Sequence, residues 1–459
     1  MTTTARTTSA SALTFRPGRW IDGWNAEDTA QWEAEGRAIA RRNLAWSVFA
    51  EFLGFVVWQL WSITVVMLPA AGFDLTSTEQ FWLISVASLV GATLRFPYTF
   101  AVARFGGRNW TIISAGLLLI PAIGLGIVVQ YPDTPYPVLL LVAALGGLGG
   151  GNFASSMANI TFFFPQREKG YALGLNAAGG NIGAAIAQFL VPIVVTIGAA
   201  STLRIELAGW MWVPFILLAM WGAWKFMDNL STAKSDFAGA AAALREPHLW
   251  IMALLYIGTF GSFIGFAGVF PKLIADQFPE FSTFQIGGAS VTLAFTGALV
   301  GSLTRPYGGK LADRFGGARM AVISFGAMIA ATVTLILILP SGSFWSFLGC
   351  FLVLFCATGV GNGATYRMIP AIFAARGAAT AGEEHAVGAQ RKGAAALGLI
   401  SALGAYGGFF VPQVLNFSQQ ATGGYTAAFW GFAAAYAALG ALTAAVYLVP
   451  RASLAGRIV

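Results

Sequence analysis

The chain has 459 residues, of which 57% are hydrophobic and only 10% charged, and its mean hydropathy is +0.71. A soluble domain carries about 25% charged residues, so this composition excludes a soluble enzyme and predicts a polytopic membrane protein. The net charge of +7 is not a nucleic-acid footprint: most Lys and Arg fall on one side of the predicted membrane, Arg95, Arg305 and Arg367 lie within it, and only Arg204 and Lys272 fall on the other side. That asymmetry predicts cytoplasmic termini.

Residues 1–43 are polar and hold no apolar stretch of the kind a cleavable signal peptide needs. From about Glu27 to Arg42 the pattern predicts a short pre-helix lying against the bundle, basic at its end (Arg37, Arg41, Arg42). A helix needs about 20 apolar residues to cross the bilayer. Twelve such spans are predicted, near 44–68, 79–103, 109–130, 137–163, 170–197, 207–227, 249–270, 286–311, 318–340, 345–373, 393–415 and 424–448. The polar stretch 228–248 divides them six and six, which gives a first half over 44–227, a linker, a second half over 249–448 and a tail over 449–459. Cys350 and Cys356 share one apolar segment and are expected to be packing residues; His248 and His385 fall in loops and offer no zinc site.

The chain is internally duplicated. Arg95 in LVGATLRFPYTFAVARFGG and Arg305 in LVGSLTRPYGGKLADRFGG lie 210 residues apart, each followed by Pro-Tyr and then by Arg-Phe-Gly-Gly (Arg104–Gly107 and Arg314–Gly317). Gly-Gly-Asn at 150–152 matches Val-Gly-Asn at 360–362 in the same register. ALGLNAAGGNIG (172–183) matches ALGLISALGAYG (396–407), 224 apart, the extra length falling in the loop from Arg376 to Lys392. Two repeated six-helix halves predict a secondary transporter with its site near the midplane between them.

An arginine in mid-span costs at least ~2.5–3.5 kcal/mol and marks a function by default. Its planar fork of donors suits a carboxylate or an oxyanion, so Arg95 and Arg305 are expected to hold an anion between the halves. Asn152, matched at Asn362, sits in a glycine-rich helix with Phe153 beside it, and Asn159 follows seven residues on. Phe55 and Trp58 share one helix face, as do Tyr256 and Phe260, and rings above and below a flat anion would exclude water. Glu51, one turn before Phe55, either pairs with an arginine or carries a proton during transport; Arg367 is a candidate partner for it. No nucleophile elbow, metalloprotease helix or phosphate-binding loop competes, so no catalytic residue, metal or cofactor is expected.

Two motifs carry a resemblance. Gly309-Lys-Leu-Ala-Asp313-Arg314-Phe-Gly316-Gly-Ala-Arg319 is similar to the loop motif of the major facilitator superfamily, with a degenerate first-half copy, Ala103-Arg104-Phe-Gly-Gly-Arg108. Gly151-Asn-Phe-Ala-Ser-Ser-Met-Ala-Asn159 through Phe164-Pro165, and Gly361-Asn-Gly-Ala-Thr-Tyr-Arg-Met-Ile-Pro370, resemble the two signatures of the NarK-type nitrate/nitrite porters. The resemblance implies an all-α membrane protein of twelve helices in two six-helix repeats, the major facilitator fold. It implies one anion site made by Arg95 and Arg305, with Phe55 and Phe153 as the flanking rings and Tyr256, Phe260 and Asn181 nearby. The signature helices around Gly151 and Gly361 would pack and slide as the halves rock. The chain departs from the exchangers of the family in having Glu51 where they are apolar, and Asn362 and Arg367 in the second signature. These departures set nitrate–proton symport beside nitrate/nitrite antiport. The expected setting is the cell inner membrane and the expected partners are nitrate, nitrite, possible protons and lipid, with the chain acting as a monomer and without nucleic acid. Transport of another small anion such as a monocarboxylate, or sensing without transport, are the alternative readings.

Overall fold

Asp28 opens the first long helix by accepting from the amides of Ala30 and Gln31. In the computed structural model, which describes residues 13–197, 203–234, 237–378 and 395–449, this helix runs unbroken as α1, Thr29–Met67. The predicted pre-helix is therefore not a separate element. A π-helical turn at Trp32–Gly36 joins it to the span, and Trp32 is buried against Phe164 while its indole N–H donates to Glu168.

The remaining helices are α2 (Ser77–Phe105), α3 (Gly107–Val128), α4 (Tyr136–Phe163), α5 (Gln166–Thr196), α6 (Leu207–Phe226), α7 (Pro247–Gln277), α8 (Phe295–Phe315), α9 (Gly317–Ser341), α10 (Phe344–Phe373, its helix continuing to Ala378), α11 (Ala395–Thr422) and α12 (Thr426–Leu448). Among the described residues, eleven are long and apolar enough to cross a membrane. The twelfth, α8, is diluted by Arg305, Lys310, Asp313 and Arg314. Its predicted span, 286–311, starts too early. Phe284–Ile286 and Ala289–Val291 form an antiparallel hairpin around Gly287 and Gly288, whose φ angles of 57° and 83° make the two-residue turn that suits strand twist.

The repeat is visible in the corners. Arg-Phe-Gly-Gly ends α2 and starts α3 through Gly106 at φ 87°, and ends α8 and starts α9 through Gly316 at φ 94°. In each half the arginine-bearing helix packs along the signature helix, α2 on α4 and α8 on α10; α5 meets α8, and α2 meets α11, across the halves. At the end that carries the N-terminus, a hairpin of Thr14–Arg16 and Trp20–Asp22 pairs in parallel with Asn229–Leu230 of the linker. Asp228 is buried there and ion-paired at 2.7 Å to both Arg19 and Arg42, so the start of the linker is fastened to the first half.

The opposite end is closed. Ser77 donates to Gln419, Thr78 to Asn416, and Gln413 to Ser85, all between α2 and α11. Lys272, predicted to lie outside the membrane, is instead buried in α7. Its ammonium donates to Gln80 of α2 at 2.9 Å, pairs with Asp276 at 3.0 Å, and lies 5.1 Å from the Phe81 ring. The long stem lets the charge reach partners that the position alone does not suggest. Asp276 in turn accepts from the Tyr425 hydroxyl, whose pKa is pushed up by burial and by the neighbouring carboxylate.

Candidate functional site

Arg95 and Arg305 are 0% and 5% exposed, and they face one another across shared rings. The Arg95 guanidinium lies 4.6 Å from the Phe153 ring and 5.3 Å from the Phe260 ring; Arg305 lies 5.8 and 5.9 Å from the same two. Phe153, from the first half, stacks on Phe260, from the second, at 6.3 Å. Phe55 closes edge-on against Phe153, and Tyr256 stacks on Phe260. The structure thus gathers Arg95, Arg305, Phe55, Phe153, Tyr256 and Phe260 into one cluster. A π-helical turn at Ile257–Gly261 interrupts α7 beside Tyr256 and includes Phe260, a feature frequent at functional sites.

Each guanidinium is held by part of its fork. Arg95 donates from Nε to the Gly150 carbonyl at 3.0 Å, and from Nη1 to the carbonyl and hydroxyl of Ser401 across the halves, at 2.9 and 3.0 Å. The Gly150 carbonyl is within reach because α2 and α4 nearly touch: a methyl group on Gly150 would meet Gly91 Cα and the Trp58 ring at 2.8 Å. Arg305 donates from Nη2 to the Tyr256 hydroxyl at 3.4 Å and lies 5.3 Å from the Tyr366 ring. Arg95 Nη2 and Arg305 Nη1 are buried without any hydrogen-bond partner. So are both side-chain atoms of Asn152 and of Asn181, and Oδ1 of Asn362. Buried polar atoms are almost always bonded, so the two free guanidinium nitrogens beside the shared rings suit a polar ligand. Rings offer faces, guanidinium forks offer in-plane donors, and together they suit a small flat anion.

Other predicted residues lie elsewhere. Asn159 donates to Ser47 at 3.5 Å and packs under Gly107, away from the cluster. Gly151 lies against the Tyr98 ring and Gly361 against Thr259 and Ser324, both in close helix contacts. Arg367 is half-exposed and pairs with Asp313 of the α8 loop motif. It is not the partner of Glu51, because its guanidinium is taken by Asp313. The carboxylate of Glu51 instead accepts from Asn176 of α5.

Ser401, Tyr366 and Asn176 were missed by sequence reasoning. Their signal was a mismatch: in the repeat they stand opposite Ala177, Ser156 and Ile400. One such mismatch reaches the site itself. A methyl group on Gly180 would collide with the Glu51 carboxylate, and one on its repeat partner Gly404 with the Tyr256 ring. Glu51 and Tyr256 therefore occupy the same seat in the two halves.

The family model described as Major Facilitator Superfamily matches residues 50–412. The chain is similar to "Nitrate/nitrite transporter NarU" of Escherichia coli strain K12, 39% identical over 92% of this chain and 95% of that protein. It is 37% identical to "Probable nitrate/nitrite antiporter NarK2" of Thermus thermophilus, over 92% and 94%. Among solved structures, that of a D-xylose-proton symporter superposes with a TM-score of 0.63 over 88% of this chain and 97% of that one, at 15% identity, which speaks for the fold alone. With two repeated six-helix halves, an arginine from each at their junction, and relatives this similar over nearly the whole length, the chain belongs to the NarK-type nitrate/nitrite porters of the major facilitator superfamily.

Proposed function

We propose that the protein moves nitrate and nitrite across the inner membrane by alternating access, with the anion bound between Arg95 and Arg305. The observation that carries this is the pair of buried, unpartnered guanidinium nitrogens over the shared Phe153 and Phe260 rings. The names of the relatives support the choice of anion. Asn152, one residue before Phe153, and Asn181 also hold buried, unpartnered amide atoms, and both are assigned to the same ligand. The halves, 44–227 and 249–448, rock about the linker 228–248. The Lys and Arg asymmetry supports cytoplasmic termini, so the closed end faces outward and the conformation is one shut to the outside.

Two facing cations resist approach, and a bound anion removes that resistance, so the loaded carrier reorients. The test is counterflow of labelled nitrate into nitrite-loaded proteoliposomes with Arg305→Lys. Lysine keeps the charge and loses the planar fork. Loss of a hydrogen bond to a charged group is worth about 1.5–3 kcal/mol, so the nitrate KM rises by about 10- to 150-fold. Unchanged counterflow would refute the clamp, and competition by formate equal to that by nitrite would move the substrate to a monocarboxylate.

A further inference from the structure

Glu51 is buried at 1% exposure beside this site, and the anion clamp does not use it. One carboxylate oxygen accepts from Asn176 Nδ2, which is also 2.6 Å from Ser156 Oγ. The other, Oε1, has no partner and rests on the bare backbone of Gly180. Among the described residues, no ion pair reaches it. The groups that face it are Arg95 from α2, Arg305 from α8 and Tyr366 from α10; α4 and α5 present the neutral Ser156 and Asn176. Its seat matters most. Tyr256, in the equivalent seat of the second half, bonds the guanidinium of its own half, Arg305. Glu51 stands in that relation to Arg95, but is turned away to Asn176.

Resting on the anion reading above, we propose that Glu51 binds a co-transported proton, and that its ionised form is the resident counter-anion that lets the emptied carrier return. The charges balance. With nitrate bound and Glu51 protonated, two guanidiniums, one anion and a neutral carboxyl leave one positive charge. With nitrate gone and Glu51 ionised, two guanidiniums and one carboxylate leave the same. The two forms that cross the membrane are electrically alike, and the anion never has to be replaced by another anion. On the outer side the Glu51 O–H bond forms with a proton from water; on the inner side it breaks, and the proton leaves to water as nitrate leaves. The cycle carries one anion and one proton and is electroneutral.

The experiment uses the full chain in proteoliposomes and labelled nitrate. Vesicles free of internal anion substrate, with acid outside, are compared with nitrite-loaded vesicles at equal pH. The wild type accumulates nitrate under the pH gradient, and a potential imposed with valinomycin changes the rate little. Glu51→Gln mimics the protonated form permanently. Its emptied carrier holds two uncompensated charges, so gradient-driven uptake falls at least about tenfold while nitrate/nitrite counterflow persists. Gradient-driven uptake that survives Glu51→Gln overturns the proposal, as does a wild type indifferent to the gradient. Loss of counterflow together with uptake also overturns it, because a pure proton carrier is dispensable when both half-cycles carry an anion. Failure of the clamp reading shows separately, as counterflow that withstands Arg305→Lys.

Discussion

Replacing Lys272 by Met tests how the closed end is held shut. The substitution keeps most of the stem and deletes the ammonium. Across the halves it removes the 2.9 Å bond to Gln80 and the contact with the Phe81 ring. A hydrogen bond from a charged group is worth about 1.5–3 kcal/mol and a desolvated cation–π contact up to about 2. Opening returns the wild-type ammonium to water, which offsets part of this. The pair with Asp276 lies within α7 and survives opening, so it contributes little to the difference between states. A net loss of about 1–2 kcal/mol for the closed state remains, which is a 5- to 30-fold shift toward opening. Spin labels at the exposed positions Ala70 and Ala421, in a background lacking Cys350 and Cys356, report the separation of the two halves at this end. The longer-distance population should grow in Lys272→Met and in Gln80→Ala. The double variant should open the end less than the sum of the two predicts, with a coupling of about 1 kcal/mol. Additive effects, or an unchanged distance distribution in Lys272→Met, would show that the ammonium does not bridge the halves.

Two further substitutions separate packing from binding. Gly150→Ala drives a methyl group into Gly91 and the Trp58 ring, an overpacking worth about 1–3 kcal/mol, and displaces the carbonyl that holds Arg95. A lowered melting temperature in detergent with lost counterflow is expected; wild-type transport would mean the helices do not need this approach. Arg367→Gln breaks a half-exposed pair with Asp313, worth about 0–1 kcal/mol, and should leave the nitrate KM and the response to a pH gradient within about twofold of wild type. A lost response would return Arg367 to the coupling role that its place in the second signature suggested.

The arginine pair was legible because it is symmetric. Arg95 and Arg305 recur in register, and a repeated charge in apolar sequence has few explanations. Phe260 followed from its helical spacing to Tyr256 and Phe153 from its place beside Asn152, while their role about an anion came from the resemblance to the porter family. Hydropathy failed wherever helix and membrane part company. Arg367 lies within the α10 span, and hydropathy does not show that its side chain is half-exposed and paired with Asp313. Ile286 to Val291 is apolar enough to read as membrane, yet Gly287-Gly288 turns it into a hairpin. Lys272 failed the other way, since a charge near a predicted boundary was assigned to water although Asp276, one turn on, could neutralise it within the bundle.

The remaining omissions share a cause that bears on mechanism. Ser401, Tyr366 and Asn176 each replace an unlike residue in the other half, so a search for recurrence passes over them. Yet these are the residues that make the halves chemically different around a symmetric clamp: Ser401 ties Arg95 to the second half, Tyr366 stacks on Arg305, and Asn176 holds Glu51 away from Arg95. Symmetry suffices to bind an anion and to present it equally to either side. It gives no preference for a direction or for a second ion, because equivalent groups respond equally. A phenol in one seat and a carboxyl group in the other break that equivalence, since a carboxyl group exchanges its proton with water far more readily than a phenol does. Coupling to a proton is thus to be sought where the repeat is broken, and Glu51 is the one acid among the site residues at such a break.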